Sequence, residues 1–179
     1  GAILKESNER YYAAADKVSK CNLYIDDTPG IRVGEIAAKC RRLHREHGLK
    51  MIIIDYLQLI SGPANSKESR QQEVSDISRQ LKMIARELSV PVIALSQLSR
   101  SVEKRDNKRP VLSDLRESGA IEQDADIVSF IHREDYQDPK KEAETQGATD
   151  IIIAKHRNGA LADIRLVFLK QYSKFANPA

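Results

Sequence analysis

Asp55 closes the apolar part of the run Lys50–Ile60 (KMIIIDYLQLI), in which Met51, Ile52, Ile53 and Ile54 lead straight into a carboxylate. A continuous aliphatic run is the pattern of a strand covered on both faces in a parallel sheet, and ligands of such sheets collect beyond the carboxyl ends of the strands. A carboxylate delivered there is placed to hold Mg²⁺ on a nucleotide; the structural alternative is a polar residue where any strand emerges. Gln97 follows a second such run, Pro91–Leu95 (PVIAL), and its amide can touch a phosphate or a water on the side to which Asp55 points. A third run, Ile151–Ala154, passes into Lys155-His156-Arg157-Asn158-Gly159, which on its own is an exposed basic hairpin. The pair Asp26-Asp27 could be read as a metal site, but a strand end entering the turn Thr28-Pro29-Gly30 favours Asp on structural grounds, and that reading is preferred.

These residues need elements to position them. Lys5–Lys20 is alanine-rich, without Pro or Gly, and sets Tyr11, Ala14, Ala15 and Val18 at helical spacing, which predicts a short amphipathic helix. Leu23–Ile25 predicts a brief strand. Val33–His47 places Ile36, Cys40 and Leu43 on one stripe, with Lys39, Arg41, Arg42 and Arg45 on other faces and Gly48 as the stop. Its basic side is read as a solvated helix face in preference to a nucleic-acid patch. Ser61–Lys67 is a loop, and from about Ser69 to Leu88 the residues Val74, Ile77, Leu81, Ile84 and Leu88 mark the clearest helix of the chain.

The segment Arg100–Pro110 carries one apolar and five basic residues, too little to bury, and is expected to be a mobile loop. Ser113 is a candidate N-cap for at most a short turn over Leu115–Ser118 before Gly119. Ile127–Ile131 is a strand, Asp135–Gly147 a charged excursion, and Ile151–Ala154 with Ile164–Leu169 a terminal hairpin. Strands alternating with helices, then a hairpin, describe a mixed α/β domain.

Composition bounds the rest. The 179 residues, 41% hydrophobic and 31% charged, suit one domain over residues 1–179 with its own core, and a net charge of +3 is too small to argue for nucleic acid by itself. Cys21 and Cys40 are unclustered, which points to a reducing, cytoplasmic setting without a disulfide. No apolar run approaches the ~20 residues that cross a bilayer, so no membrane partner is expected.

The segments IIIDYLQLI, VIALSQLSR, LRESGAIEQDADI and IIIAKHRNG, in this order and at these intervals, resemble the C-terminal motor domain of the bacterial replicative DNA helicase DnaB, of the RecA-like superfamily. The resemblance covers the chain from about Cys21 onward and implies a RecA-like twisted α/β sheet flanked by helices, with a C-terminal hairpin. It implies that Asp55 is the Walker B aspartate supporting Mg²⁺ on ATP, and that Gln97 links the nucleotide site to DNA-facing loops. Arg157 matches the arginine finger that enters a neighbouring subunit's site, and Lys155 its partner lysine. Leu115–Ala120 matches the loop that holds single-stranded DNA: Arg116 can neutralise a phosphate, Gly119 lets the backbone approach one, and Glu117 sits between them. The partners implied are single-stranded DNA, a homo-hexameric ring, primase and a helicase loader.

One departure stands out. The P-loop pattern GxxxxGK[ST] does not occur, since none of the eight glycines precedes a lysine, and the glutamate that follows it in the family has no counterpart. The chain is therefore expected to be a portion of a ring ATPase beginning downstream of both and of the N-terminal domain; the competing expectation is a stand-alone DNA-binding or ring-docking relic. Alone, the portion is expected to be without ATPase activity. Without the P-loop strand, the strands at Pro91–Leu95 and Ile127–Ile131 would border an unfilled position, so an ordered structure is expected to bring them together or to borrow a strand from another chain.

Overall fold

A computed structural model describes residues 5–62, 69–105, 107–133 and 147–178. Helix α3, Arg70–Leu88, organises the interior: the five residues of its stripe, Val74, Ile77, Leu81, Ile84 and Leu88, are all buried, and Ile77 is 2% exposed. Each such side chain contributes about 1.5–3 kcal/mol by leaving water. The Ser69 side chain caps the helix by accepting from the Gln72 N–H, and Ser89 ends it in the left-handed region.

Helix α2, Val33–His47, lies against α3 and ends at Gly48, whose φ of 67° is the left-handed conformation that glycine adopts without a Cβ clash. Its buried residues are Val33, Ala37 and Cys40, and Ile36 packs partly buried against the core, so of the expected Ile36–Cys40–Leu43 stripe Leu43 is the one outside the core cluster. Arg41 on its basic side donates twice to Glu87 of α3, at 2.6 and 2.7 Å. Cys40 is buried and Cys21 exposed, both as free thiols.

Strands β1 (Ile52–Ile54) and β2 (Val92–Ala94) pair in parallel, with Ile54 opposite Ala94. Strands β3 (Ile127–His132), β4 (Ala148–His156), β5 (Ala162–Leu169) and β6 (Lys174–Ala176) form a separate antiparallel sheet in that order. One core joins the two: Ile52 and Ile54 of β1 and the α3 stripe cluster with Val128 and Phe130 of β3, Ile152 of β4, and Leu115 and Ile121. The β4–β5 hairpin is as expected, while β6, three residues long, falls outside the sequence reading.

Several expectations are corrected. Among the described residues β2 and β3 lie in separate sheets and are not brought together; side chains of α3 and of the 112–124 segment share one core cluster with β3. The β1 run is covered on one face only: Ile53 is 64% exposed and Ile93, its partner across the ladder, 49%. Helix α1 (Lys5–Ser19) forms, but Tyr11, Tyr12 and Val18 are exposed, and Leu23–Ile25 is exposed chain with no strand partner among the described residues; Tyr24 stacks on His47 instead. Residues 63–68 and 134–146, where the Ser61–Lys67 loop and most of the charged excursion were expected, lie outside the described residues.

A candidate nucleotide and DNA site

The parallel register of β1 and β2 decides where Asp55 and Gln97 go. Past the strands the ladder continues, with the Leu95 N–H donating to Ile54 O and the Leu57 N–H to Leu95 O, both at 2.9 Å. Asp55 and Gln97 therefore both lie past the carboxyl ends of this strand pair, exposed Asp55 one residue after Ile54 and Gln97 three after Ala94. Two residues that the sequence reading did not single out hold this end together. Gln58, in the 3-10 turn Leu57–Leu59, donates through Nε2 to Ser96 Oγ and to Gln97 O, and accepts from the Gln97 N–H through Oε1. Arg70, the first residue of α3, donates to the carbonyls of Gln58 and Ile60 and pairs with Glu73. An amide three residues after the aspartate and an arginine beside the cap are the signals available in the sequence.

Among the described residues no three His, Cys, Asp or Glu side chains gather as a metal cage. A single exposed carboxylate fits Mg²⁺ carried on a nucleotide, which takes one or two protein carboxylates and completes its shell with phosphate and water; it does not fit an all-protein cage. Asp26 is not a ligand in waiting: its carboxylate accepts from Lys39 Nζ and from Thr28, and these bonds hold its pKa at about 2.

Lys155 and Arg157 lie on the other sheet, where β4 runs out beside the start of β3. Lys155 Nζ donates to the carbonyls of Glu122 and Gln123 at the end of helix α4, Gly119–Asp124. Arg157 donates to Gln123 O and pairs with the Asp126 carboxylate at 3.3 Å, and Asp126 also pairs with Lys82 of α3. The Asp126 pKa is held down chiefly by the Lys82 hydrogen bond, with Arg157 and Lys155 adding their charges. The structure thus sets Asp55 and Gln97 past the ends of one strand pair, groups Lys155 with Arg157 at the end of α4, and directs Arg157 to Asp126.

Arg116 and Glu117 fall in the 3-10 helix Leu112–Ser118, and Gly119 is the first residue of α4; the side chains at 116–119 lie outside the described ones. Ser113 is inside that helix rather than capping it, and the chain continues through Gly119 into α4 instead of stopping. The segment expected to be a mobile loop is built: Arg100–Lys104 is a 3-10 helix with Val102 buried. Beyond it, Arg105 Nη2 lies 2.7 Å from Oδ2 of Asp114, which is 5% exposed and also accepts from the Val111 N–H. Arg109 reaches Asp150 of β4 and Asp163 of β5, at 3.5 and 2.6 Å. The basic residues at 105 and 109 thus serve as anchors, which composition could not show because their acidic partners are distant in sequence.

The family described as the DnaB-like helicase C-terminal domain matches residues 1–177. The chain belongs to that family. It is 60% identical over 177 residues to the replicative DNA helicase DnaC of Bacillus subtilis and 59% identical to the replicative DNA helicase DnaB of Geobacillus stearothermophilus, in each case with 99% of this chain aligned. It spans 38% of the length of each. Its fold is similar to that of a solved DnaB-like replicative helicase, described with its interactions with primase, with a TM-score of 0.90 and 47% identity over 99% of this chain and 42% of that one. A separately solved ATPase domain has the same TM-score and identity, with 62% of that chain covered. The mixed α/β fold is therefore that of DnaB-family ATPase domains. Among the described residues, no helix is long and apolar enough to cross a membrane.

Proposed function

We propose that this chain supplies the Walker B edge, the DNA-facing segment and the arginine finger of a replicative DNA helicase, a ring ATPase that moves 5′ to 3′ along single-stranded DNA and opens the duplex. The observation that supports the reading is the parallel pairing of β1 and β2 in a chain of the DnaB family, with Asp55 and Gln97 both following the carboxyl ends of that strand pair. Asp55 would hold Mg²⁺ on ATP, and bound Mg·ATP supplies the phosphoryl group whose transfer drives movement. Gln97, fixed by Gln58, orients an amide at that edge, where it can report phosphate occupancy to the segment beyond β2. Lys155 and Arg157 act on the nucleotide of the adjacent subunit, so a homo-hexamer completes each site.

DNA engagement is assigned to Arg116, Glu117 and Gly119. Support comes from the anchoring of their segment: buried Leu115 and the Asp114–Arg105 pair fix its start, and buried Ile121 fixes its continuation into α4. The chain has few aromatics, so contact follows the phosphate backbone and is indifferent to sequence. A cytoplasmic setting, primase and a helicase loader complete the proposal.

The test is the salt dependence of single-stranded DNA binding by a full-length helicase containing this domain. Each phosphate contact contributes about 0.7 to the slope of log affinity against log salt, so Arg116→Ala flattens the slope by nearly that amount per subunit engaged. An unchanged slope and affinity would remove Arg116 from the interface.

A further inference from the structure

Helix α4 has a different job at each end. Its first residue, Gly119, continues directly from Arg116 and Glu117, and its last turn presents the carbonyls of Glu122 and Gln123. The final carbonyls of a helix have no partner within it and carry the negative end of its dipole, so they attract cations. Here they take Lys155 Nζ, with bonds to both carbonyls, and Arg157 Nη2, bonded to Gln123 O at 3.3 Å. Asp126, two residues past the helix, completes the arrangement: its carboxylate pairs with Arg157 Nε at 3.3 Å, and its carbonyl accepts from the Arg157 N–H at 2.8 Å. With six residues, α4 is about 9 Å long, and buried Ile121 seats it on the core. It is a short rigid link with the DNA segment at one end and two cations at the other.

The contacts at the cation end are of a kind that can exchange. The Arg157 side chain is 49% exposed and that of Asp126 54% exposed, so their pair is weak in water, and the guanidinium can leave while its backbone N–H stays bonded. Asp126 is also shared, because Lys82 of α3 pairs with the same carboxylate. A guanidinium on its own chain's carboxylate cannot at the same time contact a phosphate on a neighbour.

The geometry points to Asp126 and the carbonyl end of α4 as a holding station for Lys155 and Arg157, with DNA engagement at the opposite end of α4 controlling their release to the adjacent subunit's nucleotide. This rests on the assignment of Arg157 as the group that acts across the ring. Asp126 is a positioning residue, and its signature is the ratio of ATP turnover with and without single-stranded DNA.

The experiment measures both rates in a full-length hexameric helicase containing this domain. Asp126→Asn, which keeps the shape and removes the charge, raises DNA-free turnover about two- to fivefold, the effect of one exposed ion pair, and leaves the DNA-stimulated rate and the KM for ATP in place. Asp126→Glu restores the ratio. Lys82→Met, which leaves Asp126 to Arg157 alone, moves the ratio the opposite way by lowering DNA-free turnover. In the background of Arg157→Ala, Asp126→Asn changes nothing. A ratio unmoved by both Asp126→Asn and Lys82→Met, or moved in the same direction by the two, overturns the station. If Arg157→Ala abolishes turnover while the ratio stays fixed in the other variants, only the station is wrong; if Arg157→Ala turns over ATP normally, the assignment of Arg157 fails first and the station with it.

Discussion

Gln58 grips the backbone of Gln97 with both ends of its amide, its Nε2 donating to the Gln97 carbonyl and its Oε1 accepting from the Gln97 N–H, each at 3.3 Å. The second Nε2 bond, to Ser96 Oγ at 3.1 Å, fixes the residue before. Gln58 is itself held by Arg70, whose guanidinium takes the Gln58 carbonyl at 2.6 Å. The turn after Asp55 and the segment after β2 therefore move as one piece.

Removing the amide frees Gln97 without touching the nucleotide. In a full-length helicase, Gln58→Ala is expected to leave the KM for ATP near its original value and to lower DNA-stimulated kcat by roughly ten- to a hundredfold, the scale of a misplacement of about 1 Å. Steady-state ATPase assays at saturating DNA check this. A raised KM with normal kcat would show that Gln58 serves ground-state binding instead.

The Arg105–Asp114 pair anchors the start of the 3-10 helix Leu112–Ser118, the segment proposed to contact DNA. Arg105→Met keeps the stem and removes the charge, leaving Asp114, 5% exposed, without its ionic partner. Loss of a charged hydrogen bond to a buried carboxylate costs about 1.5–3 kcal/mol, read as a lower urea midpoint with unchanged slope. The double variant Arg105→Met/Asp114→Leu is expected to recover part of that loss, because no buried charge remains.

The Asp26–Lys39 pair is one source of acid sensitivity. Lys39, then Thr28, hold the Asp26 pKa at about 2, below its ordinary 3.8. The folded state thus binds the proton less tightly than the unfolded chain, so the stabilisation is fully present above about pH 4 and is lost as pH falls from there toward 2. Asp26→Asn should remove that component and make the fall in stability across this window shallower, as followed by circular dichroism. An acid limb of the same steepness would mean that the pair does not persist in solution.

Much of this was legible in the sequence where periodicity is strong or a motif is local. The α3 stripe is buried residue for residue, α2 has its expected bounds, and the hairpin pairs as its turn suggests. The strand runs were legible in position but not in coverage: Ile53 and Ile93 are aliphatic like their neighbours, and composition alone does not say that one face of the β1–β2 pair is open to water. The 100–110 segment is not legible from composition, because the acidic partners of its basic residues, Asp114, Asp150 and Asp163, lie 9 to 54 positions away in sequence. The placing of Lys155 and Arg157 against α4 was equally out of reach, since it depends on the register that sets Val128 opposite Lys155.

The central claim, that Arg157 completes a site on the neighbouring subunit, has a direct test in mixed rings. Arg157→Ala and Asp55→Ala helicases, each close to inactive alone, are combined in varying proportion and assayed for DNA-stimulated ATP turnover. Action across the boundary predicts that mixtures exceed both parents, because some junctions join an intact Asp55 to an intact Arg157. Turnover that never rises above the parents at any ratio, in rings shown to exchange subunits, would place Arg157 in its own chain's site and contradict the account.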